Sequence, residues 1–271
     1  MKRIIYKKGL PACMLLAISF FTTSCEDEIQ VDLRSVEPKV VIEGVIRQGT
    51  MAEVTITKTK DFGDNTEYLP VKDAVVKIKD DAGHDEQLAV NASGKYVATT
   101  IEGVQRRQYE LTVMYDGHTY TATSKMPPAV ALDSLTLFKF PMVDYWDPMI
   151  HFRDPVGEEN QYYRFIIGIN KEYPRFRERY ISTEFMDGNV IHQPLFVRYE
   201  EESITEDPIK KGDLITVEMR CLDRGTYKFI ETLDRVGSSL ANPTSNISGG
   251  ALGYFGAYSF TQMDIVAEWK D

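Results

Sequence analysis

Residues 109–124 read Tyr-Glu-Leu-Thr-Val-Met-Tyr-Asp-Gly-His-Thr-Tyr-Thr-Ala-Thr-Ser. Tyr109, Leu111, Val113 and Tyr115 fall on one face of an extended chain, and Tyr120, Ala122 and Ser124 fall on one face of the return. Between them stands Asp116-Gly117, a pair suited to a two-residue turn in which both positions need positive φ. The segment therefore predicts a β-hairpin, and its surroundings repeat the pattern. Upstream, Val40–Ile46 is apolar around Gly44, and Glu53–Lys58 alternates strictly. Ala74–Lys79 resumes after a loop, Asp80-Asp81-Ala82-Gly83 turns it, Glu86–Val90 returns, and Gly94–Ala98 follows. Seven short strands in under about ninety residues, without a helical stretch, predict a β-sandwich. Met126-Pro127-Pro128 closes it, since two prolines cannot continue a paired strand.

Beyond Pro128 the chain stays β-rich and becomes more aromatic. Strands are predicted at Leu135–Phe140, Met149–Phe152, Tyr162–Asn170, Tyr180–Phe185, Leu195–Tyr199, Leu214–Leu222 and Thr261–Trp269. One helix is predicted over about 223–237, with Asp223 as N-cap, Tyr227, Ile230 and Leu233 at helical spacing, and Gly237 as its stop. Residues 242–256, rich in Gly, Asn and Ser, predict a long irregular loop or a tightly turned approach into a strand. The expected architecture is mainly β. A seven-stranded Ig/transthyretin-like β-sandwich (38–127) precedes a second β-rich domain (128–271) carrying one α-helix.

The N-terminus is of another character. Lys2, Arg3, Lys7 and Lys8 precede an apolar run from Leu10 to Phe21, and Thr23-Ser24-Cys25 leads into Glu26-Asp27-Glu28. A run of roughly a dozen apolar residues is a signal-peptide length, too short for a bilayer core of about 30 Å. Small residues ending at a cysteine predict a lipoprotein signal peptide (1–24), with Cys25 acylated and an acidic tether over 25–37. The residues before the cysteine, Phe21-Thr22-Thr23, make the lipobox degenerate. Two or three acyl chains anchor stably where one is marginal.

Losing the four positive residues of the signal takes the net charge from −10 to −14. That balance argues against nucleic acid and against a polybasic lipid-binding face. Cys13 leaves with the signal and Cys25 takes the lipid, so Cys221 is the one thiol left and no internal disulfide is expected. Its alternation with Val217 and Met219 predicts a buried strand residue.

No sequence motif supplies a catalytic or metal site. His84, His118, His151 and His192 do not pair at metal-ligand spacing, although His151 and His192 could meet in space. Neither a Gly-x-Ser-x-Gly elbow nor a phosphate loop is present. Asp80, Asp81, Asp85 and Glu86 match no calcium loop and read as a charged turn. Binding has more material. Tyr145-Trp146 lies between acids, and Tyr173 and Phe176 share a Pro-Arg loop. These four aromatics are the ligand-contact candidates, suited to sugar or peptide, with Trp146 alternatively folded under as a core anchor. Tyr254, Phe255 and Tyr258 read as packing around glycine turns.

The Pro70–Ile78 segment, Gly94-Lys95-Tyr96 and Gln108–Val113 resemble the carboxypeptidase-regulatory or transthyretin-like sandwich. With Cys25-Glu26-Asp27 in front, and Asn242-Pro243, Asn246-Ile247, Gly249-Gly250 and Gly253-Tyr254-Phe255-Gly256 behind, the chain resembles domain-of-unknown-function family 4249, lipoproteins of Bacteroidetes. That resemblance implies an outer-membrane lipoprotein, often encoded beside a TonB-dependent receptor, and carries no catalytic residues or cofactor. It further implies that Glu26, Asp27 and Glu28 act as a surface-export signal and that Ser134, in Asp133-Ser134-Leu135, is an O-glycosylation acceptor. The expected function is a non-enzymatic accessory of a TonB-dependent transporter in nutrient uptake. A cell-surface adhesion or assembly module is the alternative, with a hydrolase of unrecognised site behind it.

Overall fold

The computed structural model describes residues 37–61, 63–139, 141, 146–156, 162–172, 178–196, 209–236 and 241–269. The hairpin forms as its sequence demands. Asp116 and Gly117 both take positive φ (50° and 75°) between β7 (Gln108–Tyr115) and β8 (His118–Lys125), with Tyr115 opposite His118. These two strands continue a sheet begun by β3 (Val75–Asp80) and edged by β4 (Asp85–Gln87), in the order β4-β3-β7-β8.

A wider sheet of eight strands lies opposite. Its N-terminal strands are β1 (Val40–Arg47), β2 (Met51–Lys58), β5 (Ala89–Val90) and β6 (Tyr96–Glu102). Its C-terminal strands are β11 (Tyr162–Ile169), β12 (Glu178–Ser182), β14 (Leu214–Leu222) and β15 (Leu252–Val266). The order is β12-β11-β14-β15-β1-β2-β6-β5, and every described pairing is antiparallel except that of β1 with β15. A third sheet, β13-β10-β9, comprises β9 (Ser134–Lys139), β10 (Trp146–Arg153) and β13 (Val190–Pro194).

Two apolar cores follow from this layering. The first is built from Ile42, Ile46, Ile56, Ile78, Tyr109, Val113, Ala122 and Phe255, contributed by the wide sheet and the four-stranded sheet. The second gathers Ile150, Phe152, Tyr163, Phe165, Val217, Met219 and Cys221, contributed by the wide sheet and the three-stranded sheet. Pro127 and Pro128 lie between β8 and β9, where the chain passes from one core to the other. The wide sheet nevertheless runs through both. Ile247, Ala251, Phe255 and Ala257, from the C-terminal part, also pack in the first core.

The sole helix among the described residues, α1 (Arg224–Leu233), lies against the face of the wide sheet opposite the cores. The Asp223 carboxylate caps it by accepting from Thr226 N–H at 2.8 Å. The same carboxylate accepts from the Ser124 hydroxyl, whose oxygen accepts from Ala257 N–H at 2.7 Å. One half-buried acid therefore ties β8, β15 and α1 together. Gly256 permits the close approach, because a Cβ there would stand 2.4 Å from Thr226 Oγ1. Gly253, at φ +97°, likewise lets β15 lie against β1, since a Cβ would stand 2.0 Å from the Ile42 carbonyl oxygen.

Several boundaries differ from the sequence expectation. The strand expected at Thr261–Trp269 begins at Leu252 and ends at Val266, because glycines that read as loop serve close strand packing. Only residues 242–251 remain irregular before it. Asn246 acts there as a substitute strand, its side-chain amide bonding both the N–H (2.9 Å) and the carbonyl (2.8 Å) of Phe255. Of the strand expected at Leu195–Tyr199, Leu195 and Phe196 are not in a strand and residues 197–199 lie outside the described residues, while an unexpected strand, Val190–Pro194, pairs with β10. Glu86–Val90 is two strands, since the chain crosses from the four-stranded to the wide sheet at buried Leu88. Finally, α1 ends at Leu233, short of Gly237, with Asp234 as C-cap.

Candidate functional site

Strand alternation divides the wide sheet into a face turned to the cores and a face turned outward. On the outward face, register brings Arg164 opposite both Tyr180 and Arg220, Arg220 opposite Phe260, Tyr254 beside Glu43 and Tyr258 beside Arg47. These groups form paired charges interleaved with rings. Glu218 accepts from Arg47 Nη2 at 3.0 Å and from Arg220 Nε at 2.5 Å. Arg47 lies over the Phe260 ring at 3.9 Å, and Arg220 over the Tyr258 ring at 4.6 Å. Farther along, the Glu178 Oε2 atom accepts from Arg164 Nη2 (2.5 Å), Arg164 Nε (3.0 Å) and Tyr180 Oη (2.9 Å).

Where α1 crosses this face it leaves a cavity of about 520 Å³ lined by Glu43, Arg164, Glu178, Tyr180, Phe229, Ile230, Leu233, Asp234 and Tyr254. Phe229 of α1 stacks on Tyr254 of β15 with centroids 4.8 Å apart, which makes an aromatic wall. Burial pushes the Tyr254 hydroxyl up. Burial and the Glu178 charge push Tyr180 up, so both hydroxyls stay protonated at physiological pH, that of Tyr180 donating to Glu178. Burial opposes the charge on Arg164, yet Glu178 more than restores it. The cavity thus offers aromatic faces, the Tyr254 hydroxyl as a donor and three carboxylates, with its one arginine already neutralised. Such a lining suits a polar ligand that carries an apolar face, and disfavours an anion.

The residues singled out in the sequence lie elsewhere. Cys25, Glu26, Asp27, Glu28, Tyr145, Tyr173 and Phe176 fall outside the described residues. Trp146 opens β10 half-buried, stacked on Trp269 at 5.2 Å with Lys139 Nζ 5.7 Å from its ring. Ser134 opens β9, half-buried, opposite His151. Cys221 is fully buried, and burial raises its thiol to about 11, which makes it a poor nucleophile. Asp80 is held by His84 at 2.7 Å and Arg107 at 3.2 Å, while Glu86 accepts from Thr99, Thr100 and Ile101. His151 and His192 do meet, across β10 and β13.

The cavity residues carried a faint sequence signal. Arg164 is the one charge inside Tyr162–Ile169; on the same face but outside the cavity lining, Glu218 and Arg220 interrupt an apolar strand at alternate positions. Tyr254 and Tyr258, expected as packing, do pack, against the apolar cluster of Tyr162, Leu222, Tyr227, Phe229 and Ile230 on the outward face, whereas Phe255 is in the first core. A family model described as "Domain of unknown function (DUF4249)" matches residues 26–264. No curated protein matches the sequence.

Proposed function

Since the chain belongs to the DUF4249 family, whose description states no activity, we propose that it is a non-enzymatic binding protein. In this reading Cys25 carries the lipid that holds it to the outer membrane, facing the cell exterior. The cavity between α1 and the wide sheet is the ligand seat, and the protein serves a TonB-dependent transporter in nutrient capture. The observation that carries the reading is the cavity's lining: the Phe229–Tyr254 stack beside Tyr180, Glu43, Glu178 and Asp234. Flat aromatic faces next to carboxylate acceptors and a phenolic donor suit a saccharide, whose C–H face stacks while its hydroxyls hydrogen-bond. The volume lies in the range of small-ligand sites, about 300–1,000 Å³. An acidic body with a neutralised arginine favours neutral or cationic ligands over anionic ones.

Affinity capture of the lipidated protein from its own outer membrane tests the transporter role. A stoichiometric TonB-dependent receptor is the expected outcome. Capture of envelope proteins alone, from a preparation in which known receptor complexes survive, would overturn that role and favour the adhesion module.

A further inference from the structure

On the three-stranded sheet, away from the cavity, His151 of β10 and His192 of β13 stand directly opposite each other. Their Nδ1 atoms are 2.6 Å apart and their rings meet edge to face, with centroids at 4.8 Å. Two imidazole nitrogens at that distance share one proton, so one ring donates and the other accepts. A neighbour indicates which. His151 Nε2 lies 2.8 Å from Thr136 Oγ1, and the Thr136 hydroxyl in turn reaches the Met149 carbonyl at 3.5 Å. With its hydrogen turned to that carbonyl, the threonine oxygen accepts from His151 Nε2–H, which leaves a lone pair on His151 Nδ1 aimed at His192. His192 is exposed and His151 half-buried, so the gap between them opens to water.

We propose that this cross-strand histidine pair is a transition-metal site, selective for Cu(II), with His151 Nδ1 and His192 Nδ1 as its two protein ligands. Bonds of about 2.0 Å at the right angles of a tetragonal ion place neighbouring nitrogens about 2.9 Å apart, against about 3.3 Å at tetrahedral angles. The observed 2.6 Å is nearer the first, so small ring rotations open the pair enough for copper. The proton on His192 Nδ1 moves through solvent to its own Nε2, and both rings ligate as neutral imidazoles. Among the described residues no group of three His, Cys, Asp or Glu side chains surrounds the point, so water completes the coordination. Thr136 is a positioning residue that holds the His151 ring and tautomer. Asp133, beside β9, adds a nearby negative charge.

The test titrates CuCl₂ into the tag-free full chain, following heat and the electron paramagnetic resonance spectrum. One equivalent bound, with hyperfine structure from two nitrogens, is expected. His192→Ala and His151→Ala should each abolish the two-nitrogen signal. Thr136→Val should weaken binding about tenfold, and His84→Ala with His118→Ala should leave it unchanged. The same spectrum and affinity in a folded His192→Ala, or no binding by the unaltered protein, would overturn the proposal.

Discussion

Phe255 and Tyr254 are neighbours on β15 and belong to different parts of the molecule. Phe255 is fully buried in the first core, its ring filling the space that Gly44 leaves empty, and it holds two sheets together. Tyr254 stands one residue away on the opposite face, half-buried, stacked on the helix and bordering a cavity. The contrast extends along the wide sheet. Its inward face is apolar in both halves, whereas its outward face carries Arg47, Arg164, Arg220, Glu178 and Glu218 among tyrosines. Hydrophobic burial on the inward face builds the two large cores, and outside the apolar patch under α1 the outward face is free to hold paired charges, which contribute little net stability. The fold thus separates what keeps it together from what it presents to a ligand.

The strongest attack on this separation is on the inward face. Phe255→Ala should cost about 3–5 kcal/mol, visible as a lower denaturation midpoint, with ligand affinity retained wherever the protein stays folded. If affinity fell as steeply as stability, the faces would not be independent.

A half-buried carboxylate on the edge strand of the sandwich sharpens the same point. Burial works against the charge on Glu86, but hydrogen bonds from Thr100 and Thr99 hold it down at about 2, against an ordinary 4.5. A carboxyl whose folded pKa is depressed stabilises above its unfolded value and loses that contribution as pH falls toward the folded one. Stability should therefore decline between about pH 4.5 and pH 2, and Glu86→Gln should remove that part of the decline while costing about 2–3 kcal/mol at neutral pH. Chemical denaturation across that range measures both.

Asp223→Ala attacks the joint between the faces, because it removes the helix cap and leaves Ser124 without its acceptor. A loss of about 1–2 kcal/mol is expected by the same denaturation measurement, accompanied by weaker ligand binding as α1 loosens over the cavity. The smallest effect belongs to an exposed pair. Lys95 Nζ meets Glu53 at 3.0 Å with both side chains about half exposed, and Lys95→Ala should change stability by about 0.2–1 kcal/mol, diminishing in salt.

How far the sequence speaks follows the range of each interaction. Asp116-Gly117, the alternation around it and the Asp223 cap are local, and each forms where its pattern stands. The parallel pairing of β1 with β15 joins residues some two hundred positions apart and has no local mark. Leu252–Gly256 reads as loop because its glycines answer to contacts with Ile42 and Thr226, which are absent from the sequence neighbourhood. Val190–Pro194 ends in proline and becomes a strand because it pairs with β10. The cavity was harder still. Arg164, Glu178 and Tyr254 lie on three strands, and only their shared outward register brings them together.

Binding at the outward face is most directly tested by calorimetric titration of neutral oligosaccharides into the protein, its Tyr254→Ala variant and, as an outward-face control away from the cavity, Gln262→Ala. Saccharide binding that weakens about tenfold or more in Tyr254→Ala, the worth of one good aromatic contact, and is unchanged in Gln262→Ala is the predicted result. Affinity that is indifferent to Tyr254→Ala, or no saccharide bound at all, would contradict the account.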